Sequence, residues 1–119
     1  MEDLNIIVED GFLFFQFSGT FNVENGLKVV DAMSDACIQY ECFKALLDCR
    51  PMVGEMPIMQ RYRVVEYAEK TREIKMKTAI VVREDQTLPD NFVENVAYNR
   101  GINLRIFTDF DQAVNWLRG

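Results

Sequence analysis

The sequence predicts one α/β domain over residues 1–119, with a mostly parallel sheet and an antiparallel edge strand at the N-terminus. Three observations support this prediction. Two apolar segments flank an early turn, short apolar runs then alternate with segments of helical periodicity, and the central run Ala45–Leu47 is continuously apolar. A continuous apolar strand is typical of a parallel sheet covered on both faces. The predicted element order is β-β-α-β-α-β-α-β-α, as expected for an α/β layer.

The N-terminal segment predicts a hairpin followed by a helix. Leu4–Val8 and Phe12–Ser18 are apolar or aromatic, and they flank the turn 9–11, in which Gly11 supplies positive φ. Asn22 is an expected N-cap for a helix over Val23–Tyr40. Residues three and four apart predict its inner stripe, which consists of Val23, Leu27, Val30, Met33 or Ser34, Cys37 and Tyr40.

The stretch Phe43–Pro57 is the centre of the predicted fold. It contains a strand, Phe43–Asp48, and a loop, Cys49–Met56, and it starts a helix at Pro57, where proline suits the first helical turn. The inner stripe predicted for that helix consists of Ile58, Tyr62, Val65, Ala68 or Glu69, and Arg72.

The C-terminal half repeats the strand–loop–helix unit twice. Met76–Val82 and Ile102–Phe107 are the predicted strands. Thr87 and Thr108 each precede an aspartate by three residues, which predicts two capping boxes. The first helix is predicted to end near residue 100, before Gly101. The second is predicted to bury one apolar stripe, with Trp116 at its edge; the stripe consists of Phe110, Ala113, Val114 and Leu117.

Composition excludes several classes of function. The net charge of −6 argues against general nucleic-acid binding, and no apolar run approaches the ~20 residues of a membrane span. The acidic N-terminus does not resemble a signal peptide, so we expect a cytoplasmic protein with three reduced cysteines. Because the chain has no histidine, it lacks the commonest general base and metal ligand. We therefore predict no enzyme activity, catalytic residue, metal or cofactor.

Charge is distributed unevenly along the chain. Residues 61–83 carry seven basic and three acidic side chains, and the rest of the chain carries six basic and sixteen acidic ones. Arg61 and Arg63 begin this basic segment, which is a candidate docking surface for an acidic partner or an anionic ligand. The alternative is the solvated face of an amphipathic helix, because acidic residues are interleaved at helical spacing.

The loop after the central strand contains the other candidate side chains. Asp48, Arg50 and Glu55 are a candidate polar cluster, because ligands bind α/β sheets at the loops that follow parallel strands; the alternative is an ion pair between Asp48 and Arg50. Cys49 is a candidate reactive thiol, and the alternative is a structural cysteine. The loop methionines are candidates for an adaptable docking site or for core packing; they are Met52, Met56 and Met59.

Three segments in this order resemble the STAS superfamily, and most closely its SpoIIAA-like, STAS/SEC14-type branch of small bacterial proteins. They are Gly11–Gly19, Leu46–Arg50 and Ile106–Leu117. The resemblance implies a sheet whose neighbouring strands follow sequence order. In this superfamily, anti-sigma-factor antagonists carry Asp-Ser-Ser/Thr-Gly after the central strand, and a hydroxyl of that motif is phosphorylated. The resemblance therefore implies where such a site would lie in this chain. Here the matching residues read Asp48-Cys49-Arg50-Pro51, so a phosphorylation switch is not expected.

These observations predict a non-enzymatic binding or regulatory module of STAS-like type that contacts a protein partner. The alternative is a carrier of a small lipid or anion, with a pocket at the strand-to-helix loop edge. Homodimerisation through an exposed sheet edge or an apolar helix face is left open. The expected contact residues for partner or ligand are Asp48, Cys49, Arg50, Glu55, Met56, Met59, Arg61 and Arg63.

Overall fold

The computed structural model describes residues 3–71 and 75–119. Its strands are β1 (Leu4–Val8), β2 (Leu13–Phe17), β3 (Lys44–Asp48), β4 (Lys77–Val81) and β5 (Asn103–Phe107). Its helices are α1 (Val23–Gln39), α2 (Ile58–Thr71), α3 (Phe92–Asn99) and α4 (Phe110–Arg118). Two short 3₁₀ turns, Glu84–Gln86 and Pro89–Asn91, precede α3. The predicted element order is confirmed.

The five strands form one sheet in the order β1-β2-β3-β4-β5. β1 is antiparallel to β2, and the remaining neighbours are parallel. The mostly parallel sheet, its antiparallel edge and the sequence order of the strands are therefore as predicted. Gly11 has a φ of 89° in the hairpin turn, a conformation that glycine adopts without steric cost.

The sheet separates two apolar layers because successive side chains point to opposite faces. Leu47 aligns with Phe15 and Ile80, on the face covered by α1. Leu46 aligns with Phe14 and Ala79, on the face covered by α4. The continuous run in β3 is thus buried on both sides, which confirms the physical reason for predicting a parallel sheet.

The helices on the α1 face form a layer that leaves space above the sheet. α2 packs chiefly against α1 and α3, whereas α4 packs directly on β3, β4 and β5. Gly26 of α1 lies so close to Val64 of α2 that an added Cβ would come within 2.7 Å of the valine side chain. The two helices are therefore in close contact at this point.

The predicted helix caps need correction. Thr87 does not cap α3: its Oγ1 donates to the carbonyl oxygen of Glu84 at 2.7 Å, and α3 begins only at Phe92. Asp90 and Asn91 have φ of 58° and 53°, so a regular helix cannot run through them. At α4, the cap is Asp109 rather than Thr108, and its carboxylate accepts from the amide of Gln112 at 2.9 Å.

Two predicted inner stripes also shift. In α1 the buried residues are Val29, Met33, Ala36 and Cys37, while Tyr40 follows the helix and is 48% exposed. In α2 Val65 is buried, but Ile58, the first residue of the helix, is 41% exposed. Asn22 is the N-cap of α1 as predicted. Arg72, the last residue of the stripe predicted for α2, lies outside the described residues.

Candidate functional site

The carboxyl end of β3 is held by Asp48, which is only 1% exposed. Its Oδ1 accepts from the Arg50 amide at 3.1 Å and from Arg50 Nε at 2.9 Å, and its Oδ2 accepts from Arg50 Nη2 at 3.0 Å. Gln16 on the neighbouring strand donates to the same Oδ2 at 3.2 Å. Burial raises the pKa of Asp48, but these hydrogen bonds together lower it by more, so that the pKa lies below its ordinary value. Asp48 and Arg50 therefore form the ion pair that was the alternative to a ligand-binding cluster.

Cys49 lies in the interior of the protein. Its side chain is buried, and burial, reinforced by the nearby charge of Asp48, raises the pKa of its thiol to about 12. A thiol becomes nucleophilic when its pKa falls, so burial and the raised pKa argue against a reactive Cys49. Its burial favours the alternative of a structural cysteine.

The loop between β3 and α2 is fastened by side chains that follow later in the chain. Gln86 Nε2 donates to the carbonyl of Cys49 at 3.0 Å. Arg83 Nη1 donates to the carbonyls of Arg50 and Met52, the latter at 3.1 Å. The sequence predicts a basic surface that ends at Arg83, but it contains no local signal for either of these contacts or for a role of Gln86. The buried position of Gln86 is visible only in three dimensions.

The basic segment does not form one continuous surface in the described part of the chain. Arg83 is bound to the loop, and Lys77 donates to the carbonyl of Trp116 at 2.5 Å. Arg63 is exposed, whereas Arg61 is half-buried. Arg72, which also belongs to the basic segment 61–83, lies outside the described residues.

Three of the predicted contact residues differ sharply in exposure. Met56 is buried at 4% exposure, and Met59 is 65% exposed. Glu55 is also exposed. Met56 therefore lies inside the protein and Met59 on its surface, so the loop methionines do not form one docking surface.

A partly open cavity of about 980 Å³ lies between the sheet and the layer formed by α1, α2 and α3. It is at the upper end of the ~300–1,000 Å³ typical of small-ligand sites. Its lining is mostly apolar and includes Phe17, Met33, Leu47, Val65, Ile80 and Ile106. From the predicted contact segment, Cys49, Met56 and Arg61 also line it. The predicted loop edge thus borders a large cavity.

Other features bear on the class of site. Across residues 3–71 and 75–119, no cluster of three or more histidine, cysteine, aspartate or glutamate side chains is arranged to hold a metal ion. No helix within those same ranges is long and apolar enough to cross a membrane.

Comparison with solved structures shows the fold. An anti-sigma factor antagonist from Mycobacterium paratuberculosis matches with a TM-score of 0.64 and 12% identity, over 98% of this chain and 93% of that one. An uncharacterized protein with a SpoIIAA-like fold from Shewanella loihica matches with a TM-score of 0.57 and 20% identity, over 96% and 91%. The anti-sigma factor antagonist SpoIIAA in its unphosphorylated form matches with a TM-score of 0.52 and 11% identity, over 98% of both chains.

The sequence itself matches no protein-family profile, and no curated protein sequence matches it. The structural matches span nearly the whole chain and include both parts of the predicted order, the N-terminal hairpin and the later α/β units. The described part of the chain therefore has an α/β structure with a SpoIIAA-like fold, which is the fold that the resemblance noted in the sequence implied.

Proposed function

We propose that this protein is a non-enzymatic binding module that holds a small apolar ligand between its sheet and its helix layer. The observation that carries the proposal is the cavity of about 980 Å³ lined by apolar side chains. Interiors of small domains are normally packed with few voids larger than a water molecule. An apolar ligand that fills a cavity of this size therefore stabilises the folded protein.

Native mass spectrometry of freshly purified protein tests this proposal. We expect a fraction of the protein to carry a bound small molecule, which organic extraction then identifies. A matched pair of variants on α1 sharpens the test. Ser34 lines the cavity, and the next residue, Asp35, is exposed on the same helix.

Ser34→Phe is expected to fill part of the cavity and to reduce the bound fraction, while Asp35→Phe leaves it unchanged. Both variants introduce the same side chain, so a general effect of a surface phenylalanine is controlled. A bare mass for the parent protein, together with no binding of added single-chain amphiphiles, would contradict the proposal.

A second candidate function is contact with a protein partner in a regulatory role without a phosphorylation switch. It is favoured by three exposed apolar residues in the segment 53–59: Val53 at 58%, Ile58 at 41% and Met59 at 65%. Exposed apolar side chains of this kind mark interaction surfaces when they are grouped. Two proteins with this fold are named anti-sigma factor antagonists, which supports a regulatory role.

The partner hypothesis has its own matched variants. Met59→Asp is expected to abolish retention of a partner from cell lysate. Tyr98→Asp changes a side chain that is 81% exposed on α3 and is expected to leave retention intact. Loss of the partner with both variants, or with neither, would remove the 53–59 segment from the proposal. A cytoplasmic location and a homodimer remain predictions alongside it.

A further inference from the structure

The large cavity meets a smaller polar cleft at Arg61. The cleft has a volume of about 410 Å³ and lies where β4 and β5 end, between their loops and α3. Thr87, Asn91, Thr108 and Gln112 give it a polar lining. Arg61 lines both spaces. An apolar chamber therefore adjoins a polar cleft, and a cation stands at the boundary.

The guanidinium of Arg61 is held in place but not neutralised. Nε donates to the carbonyl of Met56 at 2.9 Å and Nη1 donates to the carbonyl of Gln86 at 2.6 Å. The ring of Phe21 lies below it, 4.8 Å from the guanidinium carbon. An arginine has five N–H donors, and the described contacts use two of them. Among the residues that the structure describes, no carboxylate is within 4.0 Å of this group.

The surroundings of Arg61 favour an incoming anion. Burial lowers the pKa of Arg61, and the charge of Glu55 partly offsets that shift. An arginine stays protonated in proteins, so a partly desolvated positive charge remains at the boundary. The cleft contains a second cation, Arg105, and one carboxylate, Glu94. Positive charge therefore exceeds negative charge there.

An unpaired, partly buried charge costs free energy that an oxyanion with hydrogen-bonding geometry offsets. We propose that the ligand is a single-chain amphiphile with an anionic head group, whose chain fills the apolar cavity and whose carboxylate or phosphate oxygens pair with Arg61. This inference rests on the proposed ligand-binding function and specifies its ligand class. Arg61 is then the residue that decides between anionic and neutral amphiphiles.

Three ligands with the same ten-carbon chain separate the head group from the chain: decanoate, decyl phosphate and decanol. Their binding to the full chain is measured by calorimetry below their aggregation concentrations. The parent protein is expected to bind one or both anions about 10- to 100-fold more tightly than decanol, because hydrogen bonds to charged groups contribute about 1.5–3 kcal/mol. The two anions distinguish a carboxylate ligand from a phosphate ligand.

Arg61→Met is expected to abolish the preference for the anions and to leave decanol affinity unchanged. Arg63→Met is the matched control, because Arg63 is an exposed arginine of the same helix and does not line either space. Arg61→Lys keeps the charge and is expected to retain part of the preference. If Arg61→Met does not fold, the parent preference and the Arg61→Lys result decide the question.

The outcomes separate this inference from the proposed function. Equal binding of all three ligands by the parent protein overturns the role of Arg61 and leaves the apolar carrier standing. A loss of affinity for all three ligands in Arg61→Met, with Arg63→Met unchanged, assigns Arg61 a purely structural role and also overturns the inference. Binding of none of the ligands, together with a bare native mass, overturns both proposals.

Discussion

Arg50 donates two parallel hydrogen bonds to Asp48, from Nε to Oδ1 at 2.9 Å and from Nη2 to Oδ2 at 3.0 Å. The carboxylate is buried, whereas the arginine side chain is 45% exposed. The guanidinium also lies 5.7 Å from the ring centre of Phe110 at the start of α4. This pair joins the end of the central strand to the helix on the opposite face of the sheet from the cavity. We infer that this pair anchors the fold at the end of β3.

Asp48→Asn is expected to destabilise the protein by about 1.5–3 kcal/mol, the range for hydrogen bonds to charged groups. The variant keeps the shape of the side chain but loses the charge that Arg50 and Gln16 bind. Urea unfolding followed by circular dichroism measures the change. Asp85→Asn is the control, because its ion pair with Arg83 is exposed and such pairs contribute little. Equal losses in the two variants would contradict the anchoring role.

The same carboxylate predicts a pH dependence. The pKa of Asp48 is lower in the folded protein than its ordinary value of 3.8, so the unfolded chain takes up its proton first as the pH falls. The stabilisation is fully present above about pH 5 and is lost as the pH falls through 3.8 towards the folded pKa. Urea unfolding between pH 2.5 and 6 measures this slope. A slope equally steep in Asp48→Asn would show that other carboxylates cause it.

The three cysteines are expected to react at different rates. Burial raises the pKa of Cys49 to about 12 and that of Cys37 to about 11, whereas Cys42 is only half-buried. Iodoacetamide at pH 7.5, followed by peptide mass spectrometry, should modify Cys42 first and the other two only on unfolding. Labelling in urea is the control for intrinsic reactivity. Modification of native Cys49 at the rate of a free thiol would restore the reactive-thiol hypothesis.

Leu46 and Leu47 test whether the two faces of the sheet differ in packing. Leu46 is completely buried under α4, while Leu47 lines the cavity. Leu46→Ala is expected to cost about 2–5 kcal/mol, because it removes buried methyl groups and leaves a void. Leu47→Ala is expected to cost less, since its side chain already borders empty space. Chemical denaturation gives both values.

This pair is internally matched, because the substitutions are the same and the residues are neighbours on one strand. Equal losses for Leu46→Ala and Leu47→Ala would show that the helix layer packs on the sheet as tightly as α4 does. That result would contradict the presence of the cavity and, with it, the proposed ligand-binding function.

Much of the candidate site could not be predicted from the sequence. The sequence predicts a binding edge in the stretch after β3, because ligands commonly bind at a loop that follows a parallel strand. The outcome at each residue depended on partners far along the chain: Gln86 contacts Cys49 across 37 positions, and Arg61 contacts Gln86 across 25. Helical periodicity does not encode such contacts. The cap predicted at Thr87 was wrong because Asp90 and Asn91 adopt a left-handed conformation, which the Thr87–Asp90 pattern does not reveal.

The sequence by itself determined the order of the elements and the parallel character of the sheet. Apolar periodicity specifies which residues face a core, and the unbroken run at Ala45–Leu47 requires cover on both faces. Only the tertiary structure decided that one cover is tight and the other leaves a cavity of about 980 Å³. The distance between the sheet and the helix layer depends on side chains from several elements packing at once, such as Gly26 against Val64. A local sequence pattern does not encode that distance.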